Sequence, residues 1–346
     1  MKSTLLFTGL ILSIFSSAWG QVTRRSLGNH TVFTMPFEGD SVTFAVAVPI
    51  DKLTRKPIFL FRQGSMPWPL FTLKAKSGQT DFTELPPIVN QYKADYNFIM
   101  IAKPGVPLVV NEAYIDKLFE TRSNPDPVQY PRTYLAHNYL DFYVRQTNAV
   151  LAYVLKQPWV DARRVVVTGG SEGYNVAIKT AATNRAVTHL IAFSGNLEGR
   201  HQALIRRERG RAFSGEITQE EAQRNVEDLQ QQWTKICRDS LNTDGSSGDP
   251  NRTMYSFSHG QNTAYLLSLS IPILIIYGTA DVGSTSNDIL PLEFARRGKT
   301  NLTVKAYPNH DHYFYKYTYG PNGKEIRKEY NGEAIQRDYF EWLKER

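Results

Sequence analysis

The sequence is poor in cysteine and has no long hydrophobic run. Its 346 residues include a single cysteine, Cys237, so an intramolecular disulfide is excluded and the hydrophobic core must hold the fold. The apolar stretch Leu5 to Phe15 is too short to span a membrane, which takes about 20 apolar residues. Neither sign of charge dominates, since 40 Lys and Arg face 33 Asp and Glu. With 41% hydrophobic and 21% charged residues, disorder and a collagen-like repeat are excluded.

The N-terminus has the pattern of a secretory leader. Lys2 precedes the apolar stretch, which is followed by Ser16 and Ser17 and then by Ala18-Trp19-Gly20, with small residues on both sides of the tryptophan. This order is typical of a signal peptide. We therefore expect residues 1–20 to be removed and the mature protein to be exported, to a bacterial periplasm or outside the cell. Its positive charges are scattered among acidic residues, so neither a nucleic-acid partner nor stable membrane insertion after removal of the leader is expected.

Short apolar runs alternate with helical stretches along most of the chain. The runs have strand length and are rich in β-branched and aromatic residues: Val42 to Ile50, Pro57 to Phe61, Asn97 to Ala102, Arg164 to Thr168, His189 to Phe193, Pro272 to Tyr277 and Leu302 to Ala306. The helical stretches are Tyr130 to Leu155, Tyr174 to Arg185, Asp288 to Arg297 and Glu333 to Glu345. This alternation predicts an α/β fold with a doubly wound, mostly parallel sheet covered on both faces.

One long segment interrupts the alternation. Residues 197–265 contain no strand-like run, and Ile217 to Cys237 have helical spacing. We expect this segment to be a helical cap insertion on the loop side of the sheet. Residues 21–196 and 266–346 would then form the core. A surface elaboration without a role at the site is the alternative.

The motif Gly169-Gly170-Ser171-Glu172-Gly173 directly follows one of the apolar runs and precedes a helix of small residues. Gly-x-Ser-x-Gly at such a junction is typical of a nucleophile elbow, in which a Cβ on Gly169 or Gly173 would clash with the turn. With this motif the sequence resembles the α/β-hydrolase superfamily. Its Gly-Gly-Ser form is most similar to the prolyl-oligopeptidase and acyl-peptidase branch.

The resemblance implies that an acid and then a histidine follow the serine, each just past a late strand. Asp281 follows the run Pro272 to Tyr277, and His312 follows Leu302 to Ala306. In this interpretation Ser171 is the nucleophile and His312 takes its proton. Asp281 orients the histidine and stabilises its charged form.

Two other residues compete for these roles. His310 is the alternative base, and Asp288 is the reserve acid unless it or Asn287 caps the predicted helix. We favour His312 because Asp-His-x-Phe resembles the usual ending of the superfamily, with Phe314 packing back into the fold. The pair His310 and His312 lacks a nearby third ligand, so no metal site is expected.

Backbone N–H groups are expected to bind the oxyanion, one from the residue after the nucleophile and one from the loop after the third strand. Glu172 supplies the first, and its carboxylate is expected to be solvated. For the second, the run Pro57 to Phe61 leads into a Gly-Ser turn. Prolines 67 and 69 have no N–H, which leaves Ser65 or Met66.

Three aromatic residues are candidates for the substrate pocket: Trp68, Tyr174 and Tyr313. Tyr313 begins an alternation of tyrosines up to Tyr319 that, with Glu325 to Tyr330, predicts a β-hairpin. One face of this hairpin either lines the pocket or packs across the two strands.

These features predict an exported serine hydrolase that cleaves an ester or amide through an acyl-serine, without metal or organic cofactor. Its substrate would be a small ester or a short peptide. Two alternatives stay open: a short-peptide or aminoacyl peptidase instead of an esterase, and a non-catalytic binding protein on a hydrolase scaffold. Only about forty residues separate the expected signal peptide from the oxyanion strand, too few for a propeller of four-stranded blades.

Overall fold

The computed structural model of the protein describes residues 21–85, 89–120, 130–245, 249–321, 323 and 325–346. The predicted signal peptide, residues 1–20, lies outside these described residues. Across the described ranges, no helix is both long enough and apolar enough to cross a membrane.

The strands and helices of the described residues are numbered separately in chain order. The strands are β1 (Thr23–Leu27), β2 (His30–Phe37), β3 (Asp40–Val46), β4 (Lys56–Arg62), β5 (Phe71–Leu73), β6 (Thr80–Phe82), β7 (Asn97–Ile101), β8 (Val109–Asn111), β9 (Val160–Gly170), β10 (His189–Phe193), β11 (Ile273–Gly278), β12 (Leu302–Tyr307), β13 (Tyr315–Tyr319) and β14 (Glu325–Tyr330). The α-helices are α1 (Val89–Tyr92), α2 (Glu112–Glu120), α3 (Arg132–His137), α4 (Leu140–Val154), α5 (Glu172–Thr183), α6 (Arg200–Phe213), α7 (Gln219–Arg238), α8 (Asn251–Ser256), α9 (Asn262–Ser268), α10 (Leu290–Arg296) and α11 (Gly332–Lys344). Two 3-10 helices span Ile50–Lys52 and Val282–Ile289.

A nine-stranded sheet organises the fold, with strand order β1-β2-β3-β7-β4-β9-β10-β11-β12. The first three pairings in this order, from β1 to β7, are antiparallel. The five pairings from β7 to β12 are parallel. Because parallel strands share one direction, the loops after β4, β9, β11 and β12 all leave the same edge of the sheet. The predicted mostly parallel sheet is confirmed.

Hydrophobic clusters cover both faces of this sheet. Along β9, Val165 and Val167 pack in one cluster and Val166 packs in the other. Helices α5 and α10 contribute to the first cluster, for example through Ile178 and Phe294, and α11 contributes to the second. A strand that is buried on both faces has no polar side, which is why β9 to β11 read as nearly continuous apolar runs.

Each of the seven strand-like runs contains a strand, although the run Val42 to Ile50 continues past β3, which ends at Val46. Two of the predicted helices need changes. The helix predicted from Tyr130 to Leu155 is divided into α3 and α4 at Asn138 and Tyr139, where Tyr139 is extended at φ −147° and ψ 153°. The helix predicted to begin at Asp288 begins at Leu290, and no side-chain cap precedes it. Neither Asn287 nor Asp288 therefore caps this helix.

Five strands were not predicted. Strands β5, β6 and β8 have three residues each and form a separate sheet, and so short a segment carries no periodicity. Strand β1 is an exposed edge strand with two arginines, and β2 contains Pro36. The predicted hairpin is present as β13 and β14, paired Tyr315 to Tyr330.

The described part of residues 197–265 is helical. Helices α6 to α9 lie between β10 and β11 in the chain. Helix α6 packs against the 3-10 helix Val282–Ile289, where a Cβ built on Gly210 would lie 3.0 Å from a methyl of Val282. Helix α7 is peripheral, because only Ala222, Val226 and Ile236 among its twenty residues are buried.

Tyr174 belongs to the core and does not line a pocket, which corrects the prediction from sequence. It is fully buried in the cluster that α5 contributes to. Its hydroxyl donates a 2.7 Å hydrogen bond to Oδ1 of Asn287, and its ring lies so close to Gly195 that a Cβ there would be 2.2 Å away. The Tyr174 side chain thus packs beneath the loop that contains Gly195.

We expect Tyr174→Phe to lower the free energy of unfolding by about 1–3 kcal/mol, because it leaves the buried Asn287 oxygen without a donor. Tyr265→Phe is the matched control, since it removes a solvent-exposed hydroxyl that donates to Gln261, and should change stability by less than about 0.5 kcal/mol. Chemical denaturation measures both. Equal stabilities of the two variants would contradict the core assignment.

Candidate active site

Ser171 occupies the turn between β9, which ends at Gly170, and α5, which begins at Glu172. Its backbone is left-handed, with φ 55° and ψ −117°. Its N–H donates to the carbonyl of Phe193 at the end of β10, and its own carbonyl accepts from the N–H of Tyr174. A left-handed conformation is strained for a non-glycine residue and persists only where surrounding contacts impose it.

Two glycines make this turn fit. A Cβ built on Gly169 would lie 2.1 Å from the carbonyl oxygen of Gly173. A Cβ on Gly173 would lie 2.2 Å from the carbonyl oxygen of Arg62, at the end of β4. Backbone atoms cannot move aside cheaply, so each position accepts only glycine, as the elbow motif requires.

The structure brings Ser171, His312 and Asp281 together from three separate loops. Nε2 of His312 lies 3.1 Å from Oγ of Ser171. Nδ1 of the same ring lies 2.7 Å from Oδ2 of Asp281. Asp281 follows β11 and His312 follows β12, so both residues leave the sheet at the same edge as Ser171.

The hydrogen-bond partners of the His312 ring determine which of its nitrogens carries the proton. A carboxylate only accepts hydrogen bonds, so Nδ1 of His312 donates to Asp281 and Nε2 is left to accept from the Ser171 hydroxyl. Burial would raise the pKa of Asp281, but hydrogen bonds from His312 and Ser284 outweigh burial and hold that pKa below its usual value. A lowered pKa favours the ionised form of Asp281, which accepts the hydrogen bond from Nδ1 of His312.

Sequence reasoning missed Asp311, which shapes the loop that carries His312. Its Oδ1 accepts 2.9 Å hydrogen bonds from the N–H groups of Tyr313 and Tyr315, and its Oδ2 accepts one from the hydroxyl of Tyr317. Aspartate commonly binds backbone N–H groups just after it in such turns, and this preference is the signal that was available. The neighbouring Phe314 is buried, as the Asp-His-x-Phe ending implies.

The two competing residues are bonded elsewhere. Nδ1 of His310 lies 2.8 Å from the carbonyl oxygen of Pro308, and its Nε2 lies 2.9 Å from the side-chain amide of Asn331. Asp288 accepts a hydrogen bond from the hydroxyl of Tyr277. Neither side chain is among the hydrogen-bond partners of Ser171 or His312.

The loop after β4 lies against the serine. A Cβ built on Gly64 would be 3.5 Å from Cβ and 3.9 Å from Oγ of Ser171. Sequence reasoning named the next residues, Ser65 and Met66, as the sources of the second N–H. Glu172 begins α5, where backbone N–H groups have no partner within the helix.

The side chain of Glu172 is buried, and the expectation that it is solvated is wrong. Only 4% of it is exposed, and an ion pair of 3.6 Å joins it to Arg200, the first residue of α6. Burial raises its pKa, against the opposing charges of Lys103 and Arg200. The reason lies in tertiary structure, since α6 and the loop after β7 enclose the start of α5.

Further buried charges lie beside this carboxylate. Burial raises the pKa of Glu84 to about 7, against the charge of Lys103. Burial lowers the pKa of Lys103, opposed by Glu172 and Glu84, and lowers that of Arg62 to about 10. Acidic and basic side chains therefore lie close to one another beside Glu172, the residue that follows Ser171.

Of the pocket candidates, Tyr313 is beside the site. Its ring centroid lies 5.2 Å from that of His312, and half of the residue is exposed. Trp68 is buried, and its ring packs 4.8 Å from Phe119 in a small cluster with Met66 and Leu118. Tyr313 is therefore half-exposed beside His312, whereas Trp68 is packed inside the loop after β4.

Comparisons with known proteins give remote structural likeness only. No protein-family model matches the chain, and no curated protein matches it. An acylaminoacyl peptidase from Pyrococcus horikoshii is 11% identical with a TM-score of 0.48, over 85% of this chain and 38% of that one. A puromycin-hydrolysing peptidase from Mycobacterium tuberculosis is 13% identical with a TM-score of 0.47, over 85% and 36%. An acetyl xylan esterase from Paenibacillus sp. R4 is 13% identical with a TM-score of 0.48, over 84% and 83%.

The chain thus spans well under half the length of the two peptidases. Its fold is judged from its own strands and loops. The sheet is mostly parallel and flanked by helices. Ser171 lies in a strained turn between a strand and a helix. Asp281 and His312 follow the next-to-last and last strands of the sheet in chain order. The chain has the α/β-hydrolase fold.

Proposed function

We propose that the protein is a serine hydrolase that cleaves a carboxylic ester or amide through an acyl-Ser171 intermediate. The observation that carries this proposal is the continuous pair of contacts from Ser171 Oγ to His312 Nε2 and from His312 Nδ1 to Asp281. A neutral hydroxyl is a poor nucleophile, and an adjacent base of this kind activates it.

In the first half of the reaction, Oγ of Ser171 attacks the carbonyl carbon of the substrate while its proton passes to Nε2 of His312. Asp281 stabilises the imidazolium that forms. The carbonyl oxygen becomes an oxyanion, which the backbone N–H of Glu172 and one from the loop after β4 would bind. When the tetrahedral intermediate collapses, the bond to the leaving alcohol or amine breaks and the imidazolium proton goes to that group.

In the second half, a water molecule takes the place of the leaving group. His312 accepts a proton from this water, whose oxygen attacks the acyl carbon. Collapse releases the carboxylic acid and returns the proton to Ser171. No step requires a group beyond the chain, the substrate and water.

Ser171→Ala should abolish labelling by a fluorophosphonate probe and lower turnover by about 10⁴-fold or more, since the oxyanion contacts alone leave little catalysis. Ser194→Ala is the control, because Ser194 lies at the end of the next strand but is buried, and it should label like the parent. The probe is followed by gel fluorescence and turnover by a panel of acyl esters and peptide amides. Undiminished labelling of the Ser171 variant would contradict the assignment of Ser171 as the nucleophile.

His312→Ala should be inactive and His310→Ala active when both are compared at equal folded concentration. The ring of His312 is the one that contacts Ser171, while that of His310 contacts Pro308 and Asn331. We expect a loss in kcat of about 10⁴-fold for the first variant. If His310→Ala were the inactive one, the base would be misassigned although the reaction class would stand.

We further propose that residues 197–265 form a cap that selects the substrate. Helix α6 supports this idea, because it packs beside Val282, which directly follows Asp281, and begins at the Arg200 that pairs with Glu172. A cap can exclude long substrates, and it also keeps water from the oxyanion.

Replacing α7 and its flanking turns by a short Gly/Ser linker should leave a folded enzyme that still reacts with a small probe, because α7 buries few side chains. Without this outer layer, the preference among acyl chain lengths should flatten. The ratios of kcat/KM across an ester series measure the preference, and circular dichroism checks folding. The same rank order in parent and variant would make the segment a surface elaboration.

A further inference from the structure

Two buried side chains hold the loop after β4 through its backbone carbonyls. Nζ of Lys103 donates a hydrogen bond to the carbonyl oxygen of Gly64, and the hydroxyl of Tyr134 donates one to that of Ser65. Lys103 follows β7, and Tyr134 lies in α3. Residues from two distant parts of the chain therefore bind consecutive peptide units of one loop.

These two donors are unusually well enclosed. Lys103 is 3% exposed and Tyr134 is fully buried. The Lys103 ammonium also lies 5.4 Å from the ring centroid of Tyr134. Burying a lysine is costly unless charges nearby compensate, and here the carboxylates of Glu84 and Glu172 offset part of the effect of burial.

The geometry of the peptide unit gives these bonds a direction. No cis peptide bond occurs in the described residues, and in a trans unit the C=O and N–H point in opposite directions. The unit bound by Lys103 carries the N–H of Ser65, and the unit bound by Tyr134 carries the N–H of Met66. Both N–H groups are thereby turned away from the buried donors.

The loop also lies beside Ser171, because a Cβ built on Gly64 would be 3.5 Å from Cβ of the serine. We propose that Lys103 and Tyr134 are positioning residues, which orient the loop so that an N–H of Ser65 or Met66 points at the oxyanion formed beside Ser171. This inference rests on the proposed hydrolase function and adds to it the groups that preorganise the oxyanion site.

Preorganisation matters because a donor stabilises the transition state only if it is already aimed when the charge develops. Without the hydrogen bond to Ser65, the peptide unit that carries the Met66 N–H rotates more freely. Substrate binding depends little on that N–H, whereas the oxyanion depends on it strongly. The loss is therefore expected in kcat and not in KM.

The test compares Tyr134→Phe with Tyr143→Phe. Tyr143 is a matched control, because it is buried, lies 5.6 Å from the Lys103 ammonium and donates its hydroxyl to Asn138 and not to the loop. Each variant loses one buried hydroxyl. Turnover is measured on an ester and on the corresponding thionoester, whose sulfur is a weak hydrogen-bond acceptor.

For Tyr134→Phe we expect kcat on the oxygen ester to fall about 10- to 100-fold, less than the roughly 10²- to 10³-fold loss on deleting an oxyanion donor outright. KM and the thionoester rate should change by less than about threefold, so the ratio of oxygen-ester to thionoester rates falls. Tyr143→Phe should keep the parental ratio. Lys103→Met should lower the ratio in the same direction as Tyr134→Phe.

A parental ratio in Tyr134→Phe, or equal losses on both esters, would overturn the inference, because structural damage affects the two substrates alike. Thermal unfolding of each variant checks that equal amounts of folded protein are compared. A parent protein without Ser171-dependent turnover would overturn the proposed function together with this inference. Ser171-dependent turnover with an unchanged ratio would overturn the inference alone.

Discussion

The left-handed backbone of Ser171 is the constraint around which the neighbouring elements are arranged. Such a conformation costs about 1–3 kcal/mol in a residue with a side chain. It is kept because the serine N–H is bonded to β10, while the turn is pressed against the backbone of β4 at a glycine. Three neighbouring strands of the sheet must keep their register for this one turn to persist. Strand β9 is thus both an interior strand of the sheet and the support of the Ser171 turn.

The charges beside Ser171 connect α6 and the segment before α8 to the start of α5. Glu172 lies in the first turn of α5, where the helix dipole favours a carboxylate. Arg200 pairs with it and also with Asp249, just before α8, so two segments of the region between β10 and β11 converge on the start of α5. An apolar contact would tolerate sliding of this region, but a buried carboxylate left without its partner is strongly unfavourable. Helix α6 is therefore anchored at the residue that follows Ser171.

Sequence patterns predicted the elements that have long, regular environments. Strands β9 to β11 are buried on both faces, so their apolar runs are unmistakable, and their order along the chain led to Asp281 and His312 as well as Ser171. Strands β5, β6 and β8 are held by pairing between short segments, and exposed β1 has no apolar face. Strand β1 forms by pairing with β2, and β5 forms by pairing with β6 and β8. A local sequence pattern does not contain information about these partners.

The side chains beside the nucleophile show a second limit. Sequence proximity to Ser171 led to the expectation of a solvated Glu172 carboxylate and of a Tyr174 ring facing substrate, but both side chains are buried. Helix α5 turns Tyr174 toward Asn287, while Arg200 at the start of α6 pairs with the buried Glu172. Conversely, Lys103 and Tyr134 bind residues 39 and 69 positions away in the chain, and no motif unites them. A short motif specifies the backbone path of a site, because that path is local. The side chains that support the site are set by tertiary contacts, and only the folded chain identifies them.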